Sequence, residues 1–187
     1  AVVFVPQGKN VAVEESTSIK ELYYSIRRNK PFLHLFVSFL IIGLAGGIFL
    51  GVEFMFVDTY LGVGDKYPVL MIAGALISIM TMPFWLNMID KFGKHQTWAV
   101  STVVGAFAIL FQFFLEPGTE VFIPLLLIYS TVTAVFACSV VASNSMLGDT
   151  IDYDVLKTGV NRSGQYFSFL ALIMKANAAI GGGLAFY

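Results

Sequence analysis

The chain has 187 residues, of which 57% are hydrophobic and 12% are charged, and its formal net charge is −1. A soluble domain carries about 25% charged residues to cover its surface, so this composition excludes an ordinary soluble globule. The small net charge gives no field that would attract nucleic acid, and the single Cys138 excludes a disulfide framework.

The first 30 residues are mostly polar and predict a linker with one short helix. Ser18 and Glu21 have the S-x-x-E spacing of a capping box, which predicts an amphipathic helix running to Arg28. Pro31 then either breaks the chain or stands in the first turn of the next helix. We interpret residues 1–30 as a linker that precedes the apolar segments.

Five apolar segments follow, and each is long enough to cross a bilayer, which takes about 20 apolar residues in a helix. The spans are predicted at residues 31–57, 67–88, 97–115, 121–147 and 163–187. We therefore expect an all-α membrane protein in which residues 31–187 form a bundle of about five transmembrane helices. The chain lacks an initiator Met and stops at Tyr187 inside an apolar run, which predicts a truncated fragment.

The basic residues predict which segments face the cytoplasm, because Lys and Arg concentrate on that side of a membrane. They fall in the linker and in the second and fourth loops: Lys9, Lys20, Arg27, Arg28, Lys30, Lys91, Lys94, Lys157 and Arg162. Lys66 is the single basic residue in the other two loops. The alternation is consistent across all five spans.

The second loop holds a charged motif of Asp90, Lys91, Gly93 and Lys94. Acidic and basic residues on a tight turn can cap helix ends and form ion pairs that lock one state of the cytoplasmic end. An ordinary basic turn, with the glycine at a positive φ, explains the same residues.

A longer charged motif follows the fourth predicted span. It consists of Asp149, Asp152, Tyr153, Asp154, Lys157, Thr158, Gly159 and Arg162. Such residues can pair across helix ends as a latch that breaks when the protein changes state, or they can form a solvated loop. A Mg²⁺-dependent enzyme is disfavoured because no glycine-rich phosphate loop accompanies the acids. We predict no catalytic residues and no metal site.

Lys175 lies about 18 Å into the fifth span, near the middle of the bilayer. A charge there costs at least about 2.5 kcal/mol on insertion scales, so we expect it to face water or a partner acid. Small residues share its helical stripe and predict an interhelical seam or a cavity wall: Gly164, Ser168, Ala171, Ala178 and Gly182. Glu53, near the outer end of the first span, is interpreted as a rim residue in preference to the alternative of a coupling acid.

The run D-x-x-D-Y-x-x-x-K-T-G-x-x-R from Asp149 to Arg162 resembles the loop between helices ten and eleven of the glycoside–pentoside–hexuronide:cation symporter family. That family is the melibiose-permease-like branch of the major facilitator superfamily. Asn29-Lys30-Pro31-Phe32 resembles its N-[RK]-P-F motif at helix seven, and the second loop resembles the superfamily's D-[RK]-x-G-[RK] motif. The resemblance implies helices seven to eleven of a twelve-helix carrier, with residues 1–30 as the cytoplasmic linker between its two halves.

The resemblance further implies cation-coupled symport of a sugar or glycoside by alternating access, in a bacterial inner membrane. Lys175 would be the charge partner in the substrate and coupling site. The coupling cation, Na⁺ or H⁺, would bind mostly in the missing amino-terminal half, and no cofactor would be covalently bound. The implied partners are a small-molecule solute, a monovalent cation, the lipid bilayer and the protein's own amino-terminal half.

Two alternatives remain open from the sequence. Leu170 and Ala171 stand where the family has polar residues before the lysine, which would suit an acyl chain and a lysolipid-transporting relative. A membrane receptor that binds a ligand without transporting it is the second alternative.

Overall fold

The computed structural model describes residues 19–186, with side chains described for residues 24–118 and 120–186. The described part contains six α-helices and no β-strand. The helices are α1 (Ile19–Arg28), α2 (Lys30–Met55), α3 (Tyr67–Phe92), α4 (Lys94–Phe111), α5 (Phe122–Thr158) and α6 (Ser163–Ala185). A π-turn at Phe56–Tyr60 extends α2, and short 3₁₀ turns occupy Gly64–Lys66, Gln112–Phe114 and Thr119–Val121.

The predicted all-α membrane fold is confirmed. Within the described range, five helices are long and apolar enough to cross a membrane: α2 with its π-turn, and α3 to α6. The short helix before them is also present as α1, although Ser18 of the predicted capping box lies outside the described residues. Pro31 does not break the chain, because it stands in the first turn of α2.

The fourth long helix does not end where the sequence predicted. Helix α5 continues from the apolar span to Thr158, so the acidic motif lies on its last turns and not on a loop. A buried stripe at helical spacing continues into this extension: Ser143, Met146, Leu147, Thr150, Ile151 and Asp154. The hydropathy falls in this segment, but packing against neighbouring helices keeps it helical.

Helix α5 packs against both α3 and α4, and α2 packs against α6. Two clusters of buried residues fill the opposite ends of the bundle. One, around Phe32, Met146 and Tyr166, joins α2, α4, α5 and α6, and the other, around Val57, Leu70 and Leu125, joins the outer ends of α2, α3 and α5. The outward faces remain apolar, as lipid-facing surfaces require, with Ile79 and Met80 of α3 being 67% and 77% exposed.

Two glycines make the sharp turns at the predicted cytoplasmic end. Gly93 separates α3 from α4 at φ 84°, and Gly159 ends α5 at φ 71°, both in a region that other residues rarely adopt. The N–H of Gly159 donates to the Val155 carbonyl at 2.8 Å. The structure places α1 and both turns at one end of the bundle, as the alternation of basic loops predicted.

Candidate functional site

Asn29 connects four helices at the predicted cytoplasmic end. It is 2% exposed and lies between α1 and α2. Its Oδ1 accepts the N–H of Phe32 at 3.1 Å, which caps α2. Its Nδ2 donates to the Thr150 carbonyl of α5 at 2.8 Å and to the Tyr166 hydroxyl of α6 at 3.3 Å. This residue therefore fixes how α1 and α2 join the bundle, a role that the sequence motif alone did not indicate.

Asp154 is the buried acid of the charged motif, and it is 4% exposed. Its Oδ1 accepts the hydroxyl of Ser25 from α1 at 2.5 Å, and its Oδ2 pairs with Nη1 of Arg162 at 3.2 Å. The same Arg162 nitrogen donates to the Thr158 hydroxyl at 3.0 Å. The carboxylate is thus satisfied on both oxygens, and it ties α1 to the end of α5.

Asp149 joins the two charged motifs that the sequence analysis treated separately. Both of its carboxylate oxygens accept from Nζ of Lys94, at 2.7 and 2.6 Å, so α4 is bridged to α5. The pair is accessible, since the Lys94 side chain is 30% exposed and the Asp149 side chain 60%. Water and salt therefore screen this pair far more than the buried one.

We expect Lys94→Ala to lower the stability of the protein by less than about 1 kcal/mol, because exposed ion pairs contribute little. Thermal denaturation of the purified full-length protein at low and high NaCl measures this loss. The difference in melting temperature between variant and wild type should be smaller at high NaCl. Lys91→Ala is the matched control and should have no effect, since Lys91 is exposed and has no ion pair among the described residues. A loss above about 3 kcal/mol, the range of a broken buried pair, would contradict an exposed pair.

Three residues of the predicted motifs do not join these contacts. Asp90, Lys91 and Asp152 are exposed, and within the described range none of them forms an ion pair. Lys157 lies over the ring of Tyr153, with its ammonium 4.3 Å from the ring centroid, as in a cation–π contact. The described residues contain no group of three His, Cys, Asp or Glu side chains that could hold a metal.

Lys175 lies on the side of α6 that faces away from α2. The buried face of α6 consists of Tyr166, Leu170, Ile173, Asn177 and Gly181. At about 100° per residue, Lys175 is two positions from both Ile173 and Asn177 and therefore lies almost opposite that face. It is exposed and makes no hydrogen bond or ion pair to any residue that the structure describes.

The small-residue stripe around Lys175 is exposed as well, apart from half-buried Gly182. No helix of the described part covers this stripe, so the predicted interhelical seam lies elsewhere on α6, where Gly181 meets Gly47 of α2. Leu170 is 5% exposed and belongs to the core. It does not line the same surface as Ala171, and this removes one of the two residues that suggested an acyl-chain site.

Glu53 is not the rim residue that its position predicted. It is 2% exposed and lies near the outer end of α2, where Nε2 of Gln112 approaches its carboxylate oxygens at 3.2 and 3.4 Å. Gln112 is itself 7% exposed, in the 3₁₀ turn that follows α4. A buried acid with an amide partner therefore joins α2 to α4 at this end.

Comparison with known families finds a match over residues 3–187, which is nearly the whole chain, to the family described as MFS/sugar transport protein. No curated protein and no solved structure matches the chain significantly.

Proposed function

Since the chain belongs to the MFS/sugar transport protein family, we propose that it performs cation-coupled symport of a sugar or glycoside by alternating access. The family and the five membrane-length helices make it an integral multi-pass membrane protein and a secondary transporter in general. The coupling, the class of solute and the bacterial inner membrane as its location are the proposed parts.

The observation that supports the proposal is the environment of Lys175. An ammonium at this depth needs water or an anion, and on α6 it is surrounded by Ser168, Ala171 and Ala178, which leave room for both. The opposite face of the helix is already occupied by α2. We assign the Lys175 face to the aqueous path between the two halves, where facilitators bind their substrate.

In this proposal Lys175 is the charge partner that links solute and cation. Its ammonium would pair with carboxylates of the amino-terminal half when the site is empty. A coupling cation, Na⁺ or H⁺, would neutralise those carboxylates on binding and free the ammonium to contact the solute. Binding of one ligand then changes the affinity for the other, which is the energetic requirement for coupling.

The charged residues at the predicted cytoplasmic end have a second proposed role, in gating. Lys94 and Asp149 lie on α4 and α5 of the same half, so a rocking motion between halves does not need to break their pair. The bond of Ser25 to Asp154 differs, because it holds the linker helix α1 against α5. We propose that this contact keeps the linker docked in one state and is released in the other.

The test is uptake by the full-length protein in liposomes, with an imposed Na⁺ gradient or an imposed pH gradient and a panel of labelled galactosides and pentosides. We expect gradient-driven accumulation in wild type and at least about a tenfold loss in Lys175→Ala, corresponding to one lost charge-assisted contact. Lys175→Arg should keep part of the activity because the charge remains. Met174→Ala is the matched control, since Met174 is the exposed neighbour and carries no charge.

Unchanged accumulation in Lys175→Ala would overturn the role of this residue. If the same liposomes accumulate lysophosphatidylcholine and no sugar, the proposed substrate class is wrong, whereas the proposed transport activity stands. Binding without any gradient-dependent flux would identify a receptor and refute symport.

A further inference from the structure

A cavity of about 790 Å³ opens at the predicted cytoplasmic end, between α1, the last turns of α5 and the turn that precedes α6. Three basic side chains, Arg28, Lys157 and Arg162, line it from these three segments. Among the residues whose side chains are described, the one acid in its lining is Asp154. The cavity is separate from Lys175, which lies at mid-depth on α6, and the transport proposal uses only the Ser25–Asp154 contact on its wall.

The single acid does not neutralise the cavity. Asp154 is buried and already accepts from Ser25 and from Arg162, so its charge is matched by one of the three cations. Two positive charges remain, on Arg28 and Lys157, and both side chains are exposed to the cavity or to solvent. An unbalanced pair of like charges at one concave site favours an anion.

Hydrogen-bond donors are also left over at this site. Arg28 makes no hydrogen bond or ion pair to a described residue. Arg162 bonds Asp154 and Thr158 through Nη1 alone, which leaves its Nη2 without a partner among the described residues. The ammonium of Lys157 contacts only the face of the Tyr153 ring within the described part. Three cationic groups from three segments therefore have unused donors around one volume.

We propose that this cavity binds the phosphate group of an anionic ligand, either a phospholipid headgroup or a free phosphate ester. A phosphate group offers more acceptor oxygens than a carboxylate, and its charge of −1 to −2 matches the two unbalanced cations. Arg28 and Arg162 supply the planar donors that suit phosphate oxygens, and Lys157 supplies a point charge. The basic end of a membrane protein lies at the level of the headgroups, which makes a lipid accessible to it.

The test measures binding to the full-length protein in an uncharged detergent. In one arm, millimolar inorganic phosphate is compared with sodium chloride at equal ionic strength, and the melting temperature is recorded. In the other arm, dihexanoyl phosphatidylglycerol is compared with dihexanoylglycerol, which has the same chains and no phosphate. A ligand that binds the folded state raises the melting temperature in proportion to its occupancy.

The matched variants are Arg28→Gln and Arg27→Gln, two neighbouring exposed arginines of α1 of which only Arg28 lines the cavity. We expect phosphate or phosphatidylglycerol to stabilise wild type and Arg27→Gln equally, and the apparent affinity of Arg28→Gln to be weaker by about tenfold. Lys157→Gln should weaken binding in the same direction and checks that the result is not peculiar to α1.

The two arms separate the sources of the phosphate group. Stabilisation in both arms identifies a site for phosphate groups in general, and stabilisation by phosphatidylglycerol alone identifies a lipid site. No stabilisation of wild type beyond the chloride and dihexanoylglycerol controls overturns the proposal. Equal weakening by Arg27→Gln and Arg28→Gln also overturns it, because the effect would then come from surface charge and not from the cavity.

Discussion

Asp154→Ala is expected to lower the free energy of unfolding by about 3–5 kcal/mol, because it leaves a buried arginine without its partner. The Asp154 side chain is 5% exposed and that of Arg162 11%, so only a small part of either group is open to the cavity that both line. The substitution also removes the acceptor for the Ser25 hydroxyl, which releases α1 from α5. Thermal and denaturant unfolding of the full-length protein would measure the loss.

Asp152→Ala is the matched control for this change. Asp152 is two positions away on α5 and is exposed, without an ion pair in the described structure, so its removal should shift stability by less than about 0.5 kcal/mol. The double variant Asp154→Ala with Arg162→Ala should recover part of the loss, since it removes the unpaired charge. Equal effects of Asp152→Ala and Asp154→Ala would refute the assignment of Asp154 as the buried acid.

Gly181→Ala is expected to destabilise the protein by about 1–3 kcal/mol, against the usual direction of a glycine-to-alanine change in a helix. A Cβ at Gly181 would lie 2.7 Å from the Cα of Gly47, and a Cβ at Gly47 would lie 2.6 Å from the Asn177 carbonyl oxygen. Backbone cannot move aside as a side chain does, so α2 and α6 would have to separate. In a bilayer, close packing is the main force that holds two helices together.

The adjacent residues supply the control, because Gly182 and Gly183 have open space where a Cβ would be placed. Gly183→Ala should leave the melting temperature unchanged or raise it, in line with the better helix propensity of alanine of up to about 1 kcal/mol. The measurement is the melting temperature of the full-length variants in one detergent. A lower melting temperature for Gly183→Ala than for Gly181→Ala would show that the helices do not meet as described.

The contact between α2 and α6 at Gly181 and the contact between α1 and α5 at Asp154 stabilise the bundle in different ways. Near the middle and outer part of α2 and α6, backbones touch, and the side chain of Asn177 donates to the Phe39 carbonyl across the interface at 2.9 Å. At the predicted cytoplasmic end, Asn29 and Asp154 add hydrogen bonds that satisfy buried polar groups to the packing around Phe32 and Tyr166.

The sequence predicted the features that depend on neighbouring residues in the chain. Hydropathy located the five spans to within a few residues at most ends, and the polar linker with α1 was also predicted. The positive φ of Gly93 was one of the two readings of its motif and is confirmed. The end of α5 was predicted wrongly, because a hydropathy window ends where polar residues begin, whereas the helical spacing of Met146, Thr150 and Asp154 continues.

The sequence by itself determined that this chain crosses a membrane as a set of helices, because each helix satisfies its own backbone and needs only a sufficient run of apolar residues. Only the tertiary structure decided which polar groups meet. Ser25 and Asp154 are 129 positions apart, and nothing local shows which partners Asp154 meets or distinguishes Gly181 from Gly183. Their roles depend on which face of a helix is covered by a neighbour, and that is fixed only when distant segments pack together.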